Sequence, residues 1–170
     1  MRTNDQTDSY NGAMDRYTWK IVGKKEMYVP YNSFKIHDSK YKYSDIIKKG
    51  HINQDLSRYE LHRVWIVDSV TKPGTTHIYK RRTFYIDEDS WSIMLVDIYD
   101  RRDQLWRWQE AHTQMAYDQP FLQPIGETIY DLQSNRYLGQ AFNNEDPENI
   151  IKEFSEDYFA PGNVSKQVTK

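Results

Sequence analysis

Cysteine is absent from this chain of 170 residues. Its absence excludes disulfide bonds, zinc–thiolate sites and catalysis by a thiol. Long apolar runs are also missing, and none approaches the roughly 20 residues that a membrane-spanning helix needs. The first residues, 1–12, are polar and acidic and lack the apolar core of a signal peptide. Taken alone, these features indicate a cytoplasmic protein that does not span a membrane.

The sequence also lacks the short motifs that mark common active sites. It contains no Gly-x-Ser-x-Gly, no His-Glu-x-x-His, no phosphate loop and no dinucleotide fingerprint. The net charge of −2 provides no strong attraction for nucleic acids or anionic membranes. We therefore expect no nucleic-acid partner, no cofactor and no catalytic residues, and a binding protein is favoured over an enzyme.

Aromatic residues are abundant, with 14 tyrosines, 6 phenylalanines and 5 tryptophans. Such side chains favour pleated, half-buried surfaces, so the composition favours a sheet. Turn-type residues at hairpin spacing predict four consecutive antiparallel strands, at about 57–71, 75–86, 91–99 and 104–117. Further strand signals lie at 17–22, 25–29, 125–132 and 137–142.

Two helices are predicted beside these strands. Residues 44–49 have the cap residue and the following glycine of a single helical turn. Asp146 and Pro147 have the character of a helix cap and first turn, followed at four-residue spacing by Ile150, Phe154 and Tyr158. The predicted organisation is a polar, solvated lead-in at 1–13, a single mainly β domain at 14–160 and a loose tail at 161–170.

Loop lengths predict which side chains share a face of the sheet. Directly opposed residues of neighbouring strands lie on one face, and a one-residue slip inverts the assignment. A tight turn at Pro73-Gly74, with four-residue loops at 87–90 and 100–103, would gather four of the five tryptophans. The predicted apolar face comprises Leu61, Trp65, Phe84, Ile86, Trp91, Ile93, Leu95, Trp106 and Trp108. The opposite face would carry Val64, Ile66, Tyr79, Tyr85, Met94, Val96 and Ile98.

Both predicted faces are substantially apolar, so neither can be simply solvated. A sheet that is covered on both sides, or curled around a core, meets this requirement. The tryptophan-rich face admits two interpretations at this point: a packed core beneath a helix, or the lining of a ligand cavity.

Two Glu-x-His pairs are candidates for metal binding, Glu60/His62 and Glu110/His112. Each pair places both side chains on one face of its strand, and imidazole with carboxylate suits several metals. The predicted register puts His62 and His112 on opposite faces, so we expect that they bind no common metal. The turn at 87–89 contains three acidic residues but lacks the glycine and distal glutamate of an EF-hand. We therefore expect a solvated hairpin tip there, and no metal site.

Five longer stretches together resemble a known family. They are GKKEMYVPYN at 23–32, GHIN at 50–53, RYELHRVW at 58–65, FYIDEDSW at 84–91 and LQSNRYL at 132–138. The family resembled is the domain of unknown function numbered 1329, described as outer-membrane lipoprotein-sorting proteins of Gram-negative bacteria. The resemblance extends from about residue 7 to residue 142.

This resemblance implies a fold similar to the LolA/LolB lipoprotein carriers, a half-closed antiparallel barrel with helices over an apolar concavity. Together with the strand pattern, it predicts a mainly β fold: a curved antiparallel meander, or half-barrel, with one or two short helices. The resemblance also implies a periplasmic location. Family members are longer, with a signal sequence and a preceding region, so this chain resembles their C-terminal part.

The function expected from these features is a periplasmic, non-enzymatic carrier for an apolar, lipid-like ligand, linked to the outer membrane. The predicted apolar face would line its concavity. One alternative is a protein–protein adaptor in an envelope transport assembly, which would use the same surface as an interface. A third is an enzyme that acts on a lipid or a glycan. Fold resemblance does not decide between them.

Overall fold

A computed structural model describes residues 1–146 and 154–167. Within these residues, seven strands form one antiparallel sheet in chain order. The strands are β1 (Tyr17–Pro30), β2 (Tyr59–Thr71), β3 (Arg81–Asp87), β4 (Ile93–Tyr99), β5 (Leu105–Ala116), β6 (Phe121–Asp131) and β7 (Arg136–Gln140). The helices among the described residues are α1 (Phe34–His37), α2 (Tyr43–Ile46) and α3 (Pro161–Gln167). The predicted meander and the mainly β fold class are confirmed.

Strand β1 is a single long strand, where the sequence predicts two short ones. The pairing with β2 shifts at Gly23, from Ile21 opposite Val67 to Gly23 opposite Ile66. A β-bulge of this kind bends a strand without ending it. Gly23, which lies between the two predicted strands, is therefore part of a bulge inside β1.

The connection between β2 and β3 is longer than the predicted tight turn. Strand β3 begins at Arg81 and not at residue 75, because Tyr79 leaves the sheet and is fully buried. The amide of Thr71 donates to the carbonyl of Lys80 and closes the loop. As a result, Trp65 lies opposite Ile86.

The sheet curls without closing. The amide of Ser33, just after β1, donates to the carbonyl of Thr113 on β5 at 2.9 Å, although three strands separate β1 from β5 in the sheet. The amide of Met115 donates to Oδ1 of Asn32 at 3.0 Å. These contacts require strong curvature, as in a half-barrel. The concave side, here called the inner face, carries the apolar cluster of Val29, Tyr31, Val64, Met94 and Leu95.

The segment with α1 and α2 covers part of the inner face, over β6 and β7. Its apolar side chains pack around Ile125 of β6, and they are Ile36, Ile46, Ile52 and Leu56. Gly126 and Gly139 make room for this packing, because a Cβ at either position would meet the ring of Phe142 at less than 3 Å. Small residues on two neighbouring strands therefore accommodate one aromatic ring.

The opposite side, here called the outer face, is covered by the N-terminal residues. This corrects the prediction of a solvated lead-in at 1–13. Gln6 is fully buried, with its side chain hydrogen-bonded to Gln109 and to the hydroxyl of Tyr79. The amide of Ser9 donates to Glu127 at 2.6 Å. Polar side chains of the segment find partners on the sheet, which is why a polar sequence can be buried here.

The C-terminal residues differ from the sequence-based expectation where they are described. Residues 161–167, predicted to be loose, form the short helix α3. The predicted helix from Asp146-Pro147 through Tyr158 lies partly at 147–153, outside the described residues, and its described end is not α-helical. Phe154 precedes a 3₁₀ turn at Glu156–Phe159, in which it packs against Tyr158 with ring centroids 4.3 Å apart.

Candidate functional site

A second bulge overturns the predicted face of four tryptophans. Tyr85 lies opposite Leu95, but Ile86 lies opposite Ile93, so Met94 is an extra residue on β4. A one-residue shift inverts the faces of everything beyond it. Leu95 therefore joins Tyr85 on the inner face, while Ile93 joins Ile86 on the outer face.

Another register shift places Trp106 and Trp108 on opposite faces. The β4–β5 pairing shifts between Ile98 and Tyr99. Trp106 therefore packs in the outer-face cluster, 5.6 Å from the ring of Tyr79. Trp108 remains on the inner face and stacks on Tyr130 at 5.5 Å.

The remaining members of the predicted face lie on the outer face or in the turn between β3 and β4. Trp65 shares the outer face with Phe84 and Ile86, and the Lys24 ammonium covers its ring at 4.1 Å. Leu61 is exposed at the outer face of β2. Trp91 belongs to the turn between β3 and β4, with φ of 59° and 70% of its surface exposed. The nine residues therefore do not form one surface.

An apolar cleft lies where this turn approaches β5 and β6. Its volume is about 370 Å³, within the range of small-molecule sites. Two of the predicted residues, Trp91 and Ile93, line it. The other lining residues come from the N-terminal segment, β5, β6 and the end of β7: Asp8, Ser9, Ser92, Ala111, Thr113, Leu122, Pro124, Gly126, Glu127 and Ala141.

A second cleft of about 410 Å³ adjoins the first and shares Ser92 and Leu122 with it. Its remaining lining residues are Tyr31, Asp89, Ser90, Met115, Pro120 and Phe121. Tyr31 and Leu122 also pack in the inner-face cluster. The two clefts therefore lie side by side at the start of β4, one toward the outer face and one toward the inner face, and are here together called the groove.

Polar groups stand at both ends of this groove. At the outer end, Glu127 accepts hydrogen bonds from the amide of Ser9 and from Gln140. Burial raises the pKa of Glu127, against the effect of these hydrogen bonds. At the inner end, the Asp89 carboxylate is exposed. The first cleft thus has mainly apolar walls, the second has polar and apolar walls in similar amounts, and each carries an acidic group.

His62 lies beside this inner end, between two carboxylates. Its Nδ1 is 2.8 Å from Oδ1 of the fully buried Asp87, and its Nε2 is 3.5 Å from Oε2 of Glu60. The ring of Tyr31 packs on the imidazole, with centroids 4.1 Å apart. The acidic turn at 87–89 is therefore not simply a solvated tip, because Asp87 is part of the interior.

The buried pair Glu110 and His112 forms a separate polar cluster on the inner face. Glu110 accepts hydrogen bonds from Tyr59 and Thr128, and burial raises its pKa to about 7. His112 is fully buried with no hydrogen-bond partner among the described residues, and burial lowers its pKa to about 4. Its Nε2 is 3.8 Å from Oε2 of Glu110.

The predicted separation of His62 and His112 onto opposite faces is wrong. Ile66 of β2 lies opposite Tyr85, Tyr85 lies opposite Leu95 because of the Met94 bulge, and Leu95 lies opposite Glu110 of β5. Even-numbered residues of β2 and of β5 therefore share the inner face, and these include His62 and His112. The potential metal ligands grouped around His62 are Asp87 and Asp89, and they do not include His112 among the described residues. That the two histidines bind no common metal stays a prediction.

Sequence reasoning missed most of the groove. Leu122, Pro124 and Met115 carry no signal beyond apolar character at the ends of long strands. The N-terminal contribution was missed because polar residues at 8 and 9 suggested solvent. One usable signal existed, since Asp87 is the last residue of a strand that pairs with β2. Asp87 lies opposite Val64 of β2, and His62 is two residues from Val64 on the same face of that strand. A correct register for this pair of strands would therefore have predicted that Asp87 and His62 are neighbours.

Comparison with known proteins places these observations in a family. The model of the family described as "Protein of unknown function (DUF1329)" matches residues 1–165. The uncharacterized protein PA3922 of Pseudomonas aeruginosa is 56% identical over 148 residues, which is 87% of this chain. The chain spans only 32% of that relative's length. No helix among the described residues is long and apolar enough to cross a membrane.

Two solved structures show a distant likeness. A DUF1329 family protein from Desulfovibrio piger has a TM-score of 0.45 at 11% identity, covering 72% of this chain and 38% of that chain. A domain from Vibrio parahaemolyticus, named for a proposed role in outer membrane lipoprotein sorting, has a TM-score of 0.37 at 13% identity. That match covers 78% of this chain and 59% of the domain.

Proposed function

This chain belongs to the DUF1329 family of proteins of unknown function, and we propose that it is a binding module for an apolar, lipid-like ligand. The groove formed by the two clefts would hold the ligand. We further propose that it acts in the periplasm, in a process linked to the outer membrane, and without catalysis. The proposed location rests on the family resemblance of the sequence, and the proposed binding role rests on the groove.

The observation that carries this proposal is a mainly apolar cleft lined by an exposed tryptophan, with an exposed phenylalanine in the adjoining cleft. Trp91 is 70% exposed and Phe121 is 48% exposed. A large ring left in water costs free energy that burial would recover, at roughly 25 cal/mol per Å² of apolar surface. Bound aliphatic chains would cover these rings, and an aromatic wall contacts them without requiring matched polar groups.

The shape of the groove suits an elongated ligand more than a compact one. Two clefts of about 370 and 410 Å³ lie side by side and share Ser92 and Leu122. An acyl chain could extend through both, while acidic groups at the ends would favour a neutral or cationic head. Glu110 and His112 line neither cleft, so the buried titratable pair is not placed to act on a ligand in the groove.

A direct test is saturable binding of a fluorescent monoacylglycerol, an acyl-chain probe with a neutral head, by the 170-residue chain. Leu122→Glu places a charge in the wall common to both clefts, and we expect the affinity to fall by about tenfold or more. The matched control is Leu132→Glu, which introduces the same charge at an exposed leucine just after β6. We expect the control to bind within about twofold of the parent chain.

Trp91→Ala gives a second test that does not depend on the stability of Leu122→Glu. Because Trp91 is mostly exposed in the free chain, its removal should leave the unfolding midpoint nearly unchanged while weakening probe binding. Two results would refute the proposal: no saturable binding by the parent chain, or equal loss of binding in Leu122→Glu and Leu132→Glu. The second result would indicate adsorption to the surface.

A protein–protein adaptor is the second candidate, and a separate surface favours it. Tyr28 and Leu61 lie opposite each other on the outer face of β1 and β2, and both are more than half exposed. Adjacent exposed apolar side chains on a sheet are typical of an interface. This surface does not overlap the groove. If Tyr28 and Leu61 contact only a protein partner, substituting both would leave binding of the acyl-chain probe intact.

A further inference from the structure

We propose that His62, Asp87 and Asp89 form a binding site for one divalent transition-metal ion, for which Zn²⁺ is the best fit. The site lies where the turn after β3 meets β2. This inference does not depend on the proposed ligand-binding function. It rests on the positions of the three side chains, on the groups that orient them, and on an imbalance of charge in the turn.

The three side chains each offer a ligand atom at compatible distances. One imidazole nitrogen and two carboxylate oxygens all lie within 4.8 Å of one another. Zinc binds such atoms at about 2.0–2.2 Å in tetrahedral geometry, so two ligand atoms lie about 3.4 Å apart. Nδ1 of His62 and Oδ1 of Asp87, now 2.8 Å apart, would separate slightly, and rotation of the exposed Asp89 side chain would bring its carboxylate to the ion.

Asp87 is held so that one oxygen remains for an ion. Its Oδ2 accepts hydrogen bonds from the amide of Ser90 at 2.9 Å and from the hydroxyl of Ser90 at 2.6 Å. Its Oδ1 faces Nδ1 of His62 at 2.8 Å. A metal ion bound by both atoms would take the place of this direct contact, and Ser90 would keep the carboxylate oriented.

His62 is oriented from its other side as a metal ligand usually is. A ligating histidine typically donates its second ring N–H to a carboxylate, which fixes the tautomer and the ring plane. Oε2 of Glu60 lies 3.5 Å from Nε2 of His62. Glu60 is itself held by Asn32 at 2.8 Å and by Arg58, and Tyr31 packs against the imidazole.

The charges of the acidic turn are unevenly compensated. Glu88 forms ion pairs with Lys24 and Arg63. Asp89 has no hydrogen bond or ion pair among the described residues, and Asp87 has no lysine or arginine partner there. A divalent cation would supply the missing positive charge.

The donor set points to the class of metal. Calcium and magnesium prefer all-oxygen sites, whereas imidazole with carboxylates suits zinc and its neighbours in the first transition row. No cysteine is available in the chain, so soft-metal chemistry has no thiolate to use. With three protein ligands, a water molecule or a ligand atom from the adjoining cleft would complete the coordination, since Asp89 lines that cleft.

The test is a zinc titration of the tag-free, chelator-treated chain in competition with a chromophoric chelator. We expect about one ion per chain. Asp89→Asn removes an exposed ligand without disturbing the buried groups, and it should weaken zinc binding by about tenfold or more. The matched control is Glu88→Gln in the same turn, which removes a charge but no proposed ligand and should bind zinc within about twofold of the parent.

Cobalt provides an independent readout of the ligand set. Co²⁺ in the same site should show visible absorption bands that Glu88→Gln retains and that His62→Gln loses. Absence of stoichiometric zinc binding by the parent chain would overturn the proposal. So would equal affinities of the parent, Asp89→Asn and His62→Gln, because the ion would then lie on other residues. Neither result would bear on binding of the acyl-chain probe, which is measured with chelator present.

Discussion

Replacing Glu110 by glutamine should change how the stability of this protein depends on pH. Glu110 lies on the inner face of β5 with almost no exposed surface, and it accepts hydrogen bonds from Tyr59 and Thr128. Burial raises the pKa of its carboxyl from 4.5 to about 7, with the two hydrogen bonds acting in the opposite direction. Glutamine has a similar shape but does not titrate.

The sign and size follow from the two pKa values. In the unfolded chain this carboxyl loses its proton near pH 4.5, whereas in the folded chain it keeps the proton up to about pH 7. A group with a raised pKa contributes stability below the unfolded value and loses it as the pH rises through the folded value. At about 1.4 kcal/mol per pH unit, the parent chain should lose about 3 kcal/mol relative to Glu110→Gln across this window.

His112 acts in the opposite sense and cancels from the comparison. Burial lowers the pKa of His112 from 6.5 to about 4, so its contribution is present above pH 6.5 and lost as the pH falls toward 4. In the parent chain the two neighbours therefore offset each other over much of the acidic range. Because both proteins retain His112, the difference between them isolates Glu110.

The measurement is urea unfolding, followed by tryptophan fluorescence, at several pH values between about 4.5 and 7.5 at constant ionic strength. Any loss of hydrogen bonding in Glu110→Gln shifts the difference by a constant and leaves its slope unchanged. Glu26→Gln, at an exposed carboxylate of β1, controls for the removal of one charge. A flat difference, or a slope of opposite sign, would refute the reasoning, and the opposite sign would indicate an ionised Glu110 paired with a protonated His112.

Two further substitutions test the packing that the register shifts produce. Trp108→Ala should destabilise the chain by about 3 kcal/mol, because its half-buried ring packs on the inner face against Tyr130. Trp91→Ala, measured by the same urea unfolding, should change stability by less than about 0.5 kcal/mol. Equal losses would contradict the assignment of Trp108 to the interior and of Trp91 to the surface. Gly126→Ala should cost about 1–3 kcal/mol, since its Cβ would lie 2.3 Å from a ring carbon of Phe142. Phe142→Leu in the same background should recover part of that loss in thermal unfolding.

The order of the strands was predictable because each hairpin is local. The turns after β3, β4 and β6 lie within short runs of polar and turn-forming residues, and each run marks a chain reversal by itself. The face assignment depended on every register in succession, so one unrecognised shift was enough to invert it. Met94 is an apolar residue in an apolar strand, and nothing in its neighbours identifies it as the extra residue of a bulge.

The cover on the outer face could not be predicted for a different reason. Burial of the N-terminal segment depends on distant partners, since Gln6 pairs with Gln109 and Asp5 with the buried guanidinium of Arg82 at 2.6 Å. Polar residues are buried only where such partners exist. Their sequence separation exceeds 70 residues in each case, so no local pattern at positions 1–13 can report it.

The bulge at Met94 also explains why the two candidate sites adjoin. It lets Ile86 meet Ile93 on the outer face, while Asp87, the next residue, projects to the inner face and reaches His62. The turn that follows then has to pass around the end of β4. Trp91 and Ser92 enter the apolar groove, and Asp89 remains beside the imidazole. A single extra residue thus places an apolar wall and a charged cluster in one short turn, which neither the composition nor the loop lengths could indicate.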